Sequence, residues 1–165
     1  MGAYLKPTAY LPHRPPLCLL DEVMAVNDKS VVCRVSNRCG SCLDVFKHSD
    51  GSCSTTVLVE LMAQTIGVWA GYQRILSNNA KLPTEEQDAE VGLLLSARGL
   101  KILTDQIKAN AELIITMHLL IDESRLTSFE GNVTMDGKEV AAGRLTVFQP
   151  TNQELANLFD SKRES

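Results

Sequence analysis

The sequence predicts an α+β domain in which one long helix is covered by a curved antiparallel sheet. Three observations carry this reading. The stretch TTVLVELMAQTIGVWAGYQ, residues 55–73, is apolar on every side at helical spacing, so as a helix it must be covered on every side. Four strand-like runs follow it, over 92–101, 112–121, 126–135 and 139–148. The last two are joined by MDGK, whose Asp-Gly pair suits a tight turn that needs positive φ.

The elements follow in order. Residues 1–20 form a lead-in, because Pro12, Pro15 and Pro16 forbid regular helix there. LCLLDEVMAVN gives a short apolar element. KSVVCRVSN then alternates Val31, Cys33 and Val35 against Val32, Arg34 and Ser36, which suits a strand. RCGSCLDVFKHSDGSCS reads as a loop. The long helix is expected over 55–76, capped by Ser54 or Thr55. SNNAKLPTEEQDAE, polar and with a proline, reads as a surface loop. After the four strands, TNQELANLF predicts a short helix over 152–159, capped by Thr151 or Asn152. No repeat or linker interrupts the chain, and 165 residues suit one domain with one core.

Composition narrows the function. Twenty acidic against sixteen basic residues leave a net charge of −4, without the basic footprint of a general nucleic-acid binder. The first ten residues lack an apolar run of signal-peptide length, so a cytoplasmic location is expected. The apolar stretch at 55–73 is short for a membrane span and contains Glu60 and Gln64, so it reads as a core helix. Five cysteines, an odd number, point to reduced thiols rather than a disulfide framework.

Glu60 is the residue that needs explaining. No Lys or Arg stands within a helical turn of it, and burying an unpaired carboxylate costs several kcal/mol unless it keeps a proton or gains polar partners. One resolution is structural, since the free N–H groups and positive dipole end of the helix lie about a turn away. The other is chemical: an apolar setting keeps a carboxyl able to act as an acid near neutral pH. Gln64, one turn on, shares its face and forms with it either a buried polar pair or the floor of a site. Three imidazoles could serve as a base. His118 alternates with polar neighbours and reads as surface, which leaves His13 in the lead-in and His48 in the loop before the helix. Cys39, Cys42, His48 and Cys53 approach a zinc-knuckle spacing but break it by one residue, so no metal or other cofactor is expected. Arg98, Lys101 and Lys108 flank a strand and could meet an acidic partner or serve as solvated charge.

Three segments together resemble the hotdog-fold β-hydroxyacyl-acyl-carrier-protein dehydratases. LPHRPPLCLLDEV is similar to that family's N-terminal signature, VLVELMAQTIGVWAG to its central helix, and GLLLSARGLKI to the strand after it. Within the family, LMAQTIGVW and the C-terminal VFQP most resemble the dehydratase-like proteins of aryl-polyene biosynthesis clusters. The resemblance implies a hotdog fold, with the sheet wrapped around the helix and sites at the interface of a homodimer or a heterodimer with another hotdog dehydratase. It implies elimination of water from a β-hydroxyacyl thioester on an acyl carrier protein. It makes Glu60 the acid and His48 the base, Gln64, Ser54 and Gly51 the substrate-binding residues, and His13 a packing residue. The family's proline-rich loop is here HSDGSCSTT, without proline. Two alternatives therefore stand beside the dehydratase: a non-catalytic subunit paired with an active one, and a hotdog thioesterase.

Overall fold

The computed structural model describes residues 4–77 and 92–160. The loop predicted over 77–90 falls, apart from Ser77, outside the described residues. Six strands form one antiparallel sheet: β1 (Glu22–Val26), β2 (Ser30–Ser36), β3 (Leu93–Ile102), β4 (Glu112–Glu123), β5 (Leu126–Met135) and β6 (Lys138–Phe148). Their order is β1-β2-β4-β5-β6-β3, so β3 leaves its sequence neighbours and closes the far edge against β6. The long helix α1 (Val57–Ser77) crosses the inner face, and α2 (Asn152–Asp160) ends the described chain. The sequence places every one of these elements within a few residues of its bounds, the scatter usual for element ends.

Alternation builds the inner face. Along β2, Val31, Cys33 and Val35 are buried, and along β4, Leu113, Ile115 and Met117. They pack with Leu58, Leu61, Met62 and Ile66 of α1, and Trp69 meets Phe129 edge-on at 5.1 Å between ring centroids. Each such aliphatic side chain contributes about 1.5–3 kcal/mol when fully buried. The predicted hairpin is present: Asp136 and Gly137 both have positive φ, at 50° and 85°, as a two-residue turn between twisted strands requires. At the C-terminus, Thr151 and Glu154 exchange side-chain to backbone hydrogen bonds (2.8 and 3.3 Å), a reciprocal cap for α2.

The lead-in packs down on α1. A Cβ at Gly71 would lie 2.2 Å from the Tyr10 carbonyl oxygen, and one at Gly67 would lie 2.6 Å from Leu11 Cδ2. Gly71 thus permits a backbone approach that no side chain allows, while at Gly67 the neighbour is only a mobile leucine methyl. Gly71→Ala is expected to cost about 1–3 kcal/mol through overpacking. The check is the urea midpoint, and an unchanged midpoint would mean that the lead-in shifts away freely.

A helix apolar on every side must be covered on every side, and within the single chain the sheet and lead-in supply part of that cover. Val59, Ala63, Gly67 and Ala70 are only half-buried, and Glu60 is exposed. The sheet and lead-in cover one side of α1 and leave this stripe open to a groove.

Candidate active site

Glu60 stands in the first turn of α1, whose N-terminus begins at Val57 rather than at the predicted Thr55. Ser54 precedes it and accepts the Thr56 amide on its Oγ at 3.3 Å, which fixes the entry to the helix. The sequence called for a carboxylate buried among apolar side chains. In the single chain the Glu60 side chain instead reaches the open stripe, where Gln64 donates a hydrogen bond to Oε1 at 2.9 Å. Gln64 itself is buried, only 3% exposed. Its amide also donates to the Leu17 carbonyl and its oxygen accepts from the Leu19 amide, each at 2.9 Å. One glutamine therefore fastens the lead-in to the helix and orients the carboxylate beside it.

Glu60 and Gln64 line a groove of about 450 Å³ between the lead-in, α1 and the strand ends of β3, β5 and β6. Leu11, Leu17, Ala63, Leu93 and Val147 give it apolar walls, and that size and character suit a small-molecule site. His13 also lines it, and its Nδ1 is buried without a hydrogen-bond partner. Its carbonyl accepts from the Arg14 guanidinium at 3.0 Å, which holds the turn in place. Sequence reasoning assigned His13 to packing alone. Its position on the Glu60 groove was visible only through the Gln64 clamp, which ties together residues more than forty apart.

His48 lies elsewhere. It is exposed at the start of a tight turn in which its amide donates to Ser52 O (2.8 Å) and Gly51 N–H donates back to its carbonyl (3.0 Å). Gly51 closes this turn at φ 82°, and Asp50 accepts both the hydroxyl and the amide of Ser52. Those two bonds, with a smaller contribution from the charge of His48, hold the Asp50 carboxyl below its usual range. Buried Asn37 anchors the turn by donating to Gly51 O (3.2 Å) and Lys108 O (2.9 Å), a role the sequence did not signal. His48, Gly51 and Ser54 do not line the Glu60 groove of the same chain. His48 is exposed on this turn.

The other candidates separate cleanly. Cys39 is exposed, Cys42 half-buried and Cys53 buried, and among the described residues no three potential ligands stand close enough to hold a metal. Burial pushes the Cys33 thiol up to about 12 and raises Cys18 and Cys53 as well, the behaviour of inert core thiols. His118 is exposed on the outer sheet face opposite Glu130. Arg98, Lys101 and Lys108 are exposed. Among the described residues, no helix is long and apolar enough to cross a membrane.

A family model described as ApeP dehydratase matches residues 5–160, nearly the whole chain. The chain belongs to the ApeP-like dehydratase family. The assignment agrees with the resemblance carried by the lead-in, helix and β3 motifs, and it makes the protein a dehydratase, a lyase of hotdog fold. A solved chain of the dehydratase heterocomplex ApeI:P from Xenorhabdus doucetiae superposes on this ApeP-like protein with a TM-score of 0.83. The two are 33% identical over 94% of this chain and 98% of that one. More distant likenesses show the fold alone. The TT0310 protein from Thermus thermophilus aligns at TM-score 0.57 and 18% identity, over 84% of this chain and all of that one. A hypothetical thioesterase from Streptococcus pneumoniae, solved with coenzyme A, aligns at 0.54 and 16%, over 78% and 84%. No curated protein matches the sequence.

Proposed function

We propose that this ApeP-like protein eliminates water from a β-hydroxyacyl thioester borne by an acyl carrier protein, in the cytoplasm, as one half of a heterodimer with a second hotdog dehydratase. The observation that carries the reading is the Glu60–Gln64 pair at an apolar groove on the helix whose sequence marks the family. In the reaction, a base removes the α-proton and the electron pair forms the Cα=Cβ bond. The Cβ–O bond breaks, and Glu60 protonates the departing hydroxyl to give water and the enoyl thioester. Free N–H groups at the start of α1 stabilise the enolate oxygen. His48, exposed on its turn, suits a base delivered across an interface, so the Glu60 groove would draw its base from the partner and His48 would serve the partner's groove. Gln64 holds the acid, while Ser54 and Gly51 shape the loop against substrate.

The partner surface we assign is β3. It is the outer strand of the sheet, ten residues long, with Leu94, Leu95, Leu100 and Ile102 exposed. A long apolar edge of this kind seeks a second strand. Arg98 already faces Arg144 in register, and like charges directly opposite are unfavourable. Antiparallel pairing of β3 with its own copy about the strand centre would add a second Arg98, so a different chain with carboxylates there is the better fit.

The test is dehydration of a β-hydroxyacyl carrier by the chain alone, by a partner dehydratase alone and by the mixture, with assembly followed by size-exclusion chromatography. Activity that requires the mixture supports the proposal. Full activity as a homodimer would overturn the pairing, and release of free carrier thiol without enoyl product would make the chain a thioesterase. Because His48 does not share the Glu60 groove of its own chain, a second reading remains: the chain completes its partner's site with no chemistry of its own. Full retention of mixed activity by Glu60→Gln, together with its loss in His48→Ala, would establish that.

A further inference from the structure

The outer face of the sheet carries a second concavity, of about 560 Å³. It uses the same strands as the groove but from the other side. Val147 of β6 lines the groove, and Arg144, an odd number of residues earlier, lines the concavity. One row of directly paired residues crosses it: His118 on β4, Glu130 on β5, Arg144 on β6 and Arg98 on β3. Lys101, also on β3, adds a third formal cation to the lining. Regular strand geometry would not put Lys101 there, because residues three apart on an unbroken strand point to opposite faces. The register against β6 shifts between Arg98 and Lys101, which stand opposite Arg144 and Ala142. Gly99, at φ 58°, has the left-handed conformation of a bulge glycine. The bulge thus brings two cations that would alternate onto one side.

Arg98, Lys101 and Arg144 make no ion pair or side-chain hydrogen bond among the described residues. Two carboxylates share the lining with them. Glu139 accepts from Asn132 at 2.8 Å, and Glu130 faces Arg144 across the strand pair without an ion pair. In a chain whose net charge is −4, three cations gathered against two carboxylates are a local departure. Arg98 and Arg144 stand directly opposite each other, and like charges so placed are unfavourable. An oxyanion between them turns that repulsion into attraction. The guanidinium forks supply parallel donors suited to paired oxygens, and the Lys101 ammonium supplies a point charge.

We infer that this outer concavity binds a small hydroxylated phosphate ester, its phosphate held by Arg98, Lys101 and Arg144. A phosphate monoester carries up to two negative charges and three terminal oxygens, enough to meet three cations at once, whereas a carboxylate offers one charge and two oxygens. The space is far larger than one phosphate ion fills, and hydroxyls on the organic part would donate to Glu130 and Glu139. The assignment is independent of the dehydratase reading, since the concavity and Glu60 lie on opposite sides of the sheet. A partner strand paired with β3 would reach Arg98 from the edge, but Arg144 sits one strand further in.

The experiment is calorimetric titration, which needs no turnover. Glycerol 3-phosphate, inorganic phosphate and glycerol are each titrated into the full chain, alone and mixed with a partner dehydratase, at one fixed ionic strength. Glycerol 3-phosphate is expected to bind saturably and about tenfold more tightly than inorganic phosphate, with no binding of glycerol. Arg144→Gln and Lys101→Gln should each weaken the ester about tenfold or more, as loss of a hydrogen bond to a charged group does. Lys108→Gln removes an exposed cation outside the concavity and should leave binding unchanged. All three positions are exposed, so the variants should fold, and an unchanged urea midpoint checks this. Four results overturn the inference: no saturable binding of the ester, inorganic phosphate bound as tightly, equal weakening by Lys108→Gln, or loss of binding on mixing with the partner. Glu60→Gln should bind the ester like wild type, so failure of the dehydratase chemistry would register in the turnover assay and not here.

Discussion

Glu60→Gln is expected to lower dehydration at its own groove about 10²–10⁴-fold, the range typical of general acid–base groups, while substrate binding changes little. Glutamine keeps the size of the side chain and can still meet Gln64 across the 2.9 Å contact, but it has no proton to give the leaving hydroxyl. The fold should tolerate the change, since Glu60 is exposed in the single chain and makes no ion pair among the described residues. In the proposed heterodimer His48 serves the partner's groove, so His48→Ala should silence that site and spare the Glu60 groove, and the double variant should lose both. In the heterodimer the two variants can also be tested when carried on the same copy of this chain. If Glu60 and His48 serve different sites, each single change silences a different one. Turnover by the double variant equal to that of His48→Ala alone, with the latter still measurable, would remove Glu60 from the chemistry.

Gln64→Leu should have the largest effect on the scaffold. The substitution preserves volume and removes all three hydrogen bonds of the clamp at once. The Leu19 amide would be left buried without a partner, at a cost of about 1–3 kcal/mol, with the partly buried Leu17 carbonyl adding to it. Loss of the clamp should also loosen the lead-in that carries His13 and free the Glu60 carboxylate to rotate. Equilibrium unfolding in urea should show a lower midpoint with the slope unchanged, as expected when stability falls without a change in the surface exposed. Turnover should fall as well, though less than for Glu60→Gln, because the acid remains. A midpoint equal to wild type would show that the lead-in is held by Tyr10, Leu11 and Gly71 alone.

The family assignment and the partner question depend on different kinds of information. Contiguous motifs in the lead-in, in α1 and in β3 carry the resemblance, and the family match extends over residues 5–160. The choice of partner turns instead on an edge strand and the charges beside it. Those charges acquire meaning only once Arg98 is known to lie opposite Arg144.

What the sequence determined by itself is local in origin. Two-residue alternation marked β2 and the strands after the helix, and the Asp136–Gly137 pair marked the tight hairpin because few residues accept positive φ. The continuous apolar character of α1 announced a central helix, and Glu60 and Gln64, four apart, were bound to share a face. The tertiary structure decided the rest. It placed β3 at the outer edge, a consequence of crossovers that no local pattern encodes. It exposed Glu60, because one sheet and one lead-in cover only one side of a helix that is apolar all round. It left His48 outside the Glu60 groove and brought His13 to it, the latter because Gln64 and Gly71 fix the approach of a segment more than forty residues away. Periodicity reports which way a side chain points within its own element, and the neighbour it meets depends on how the elements pack.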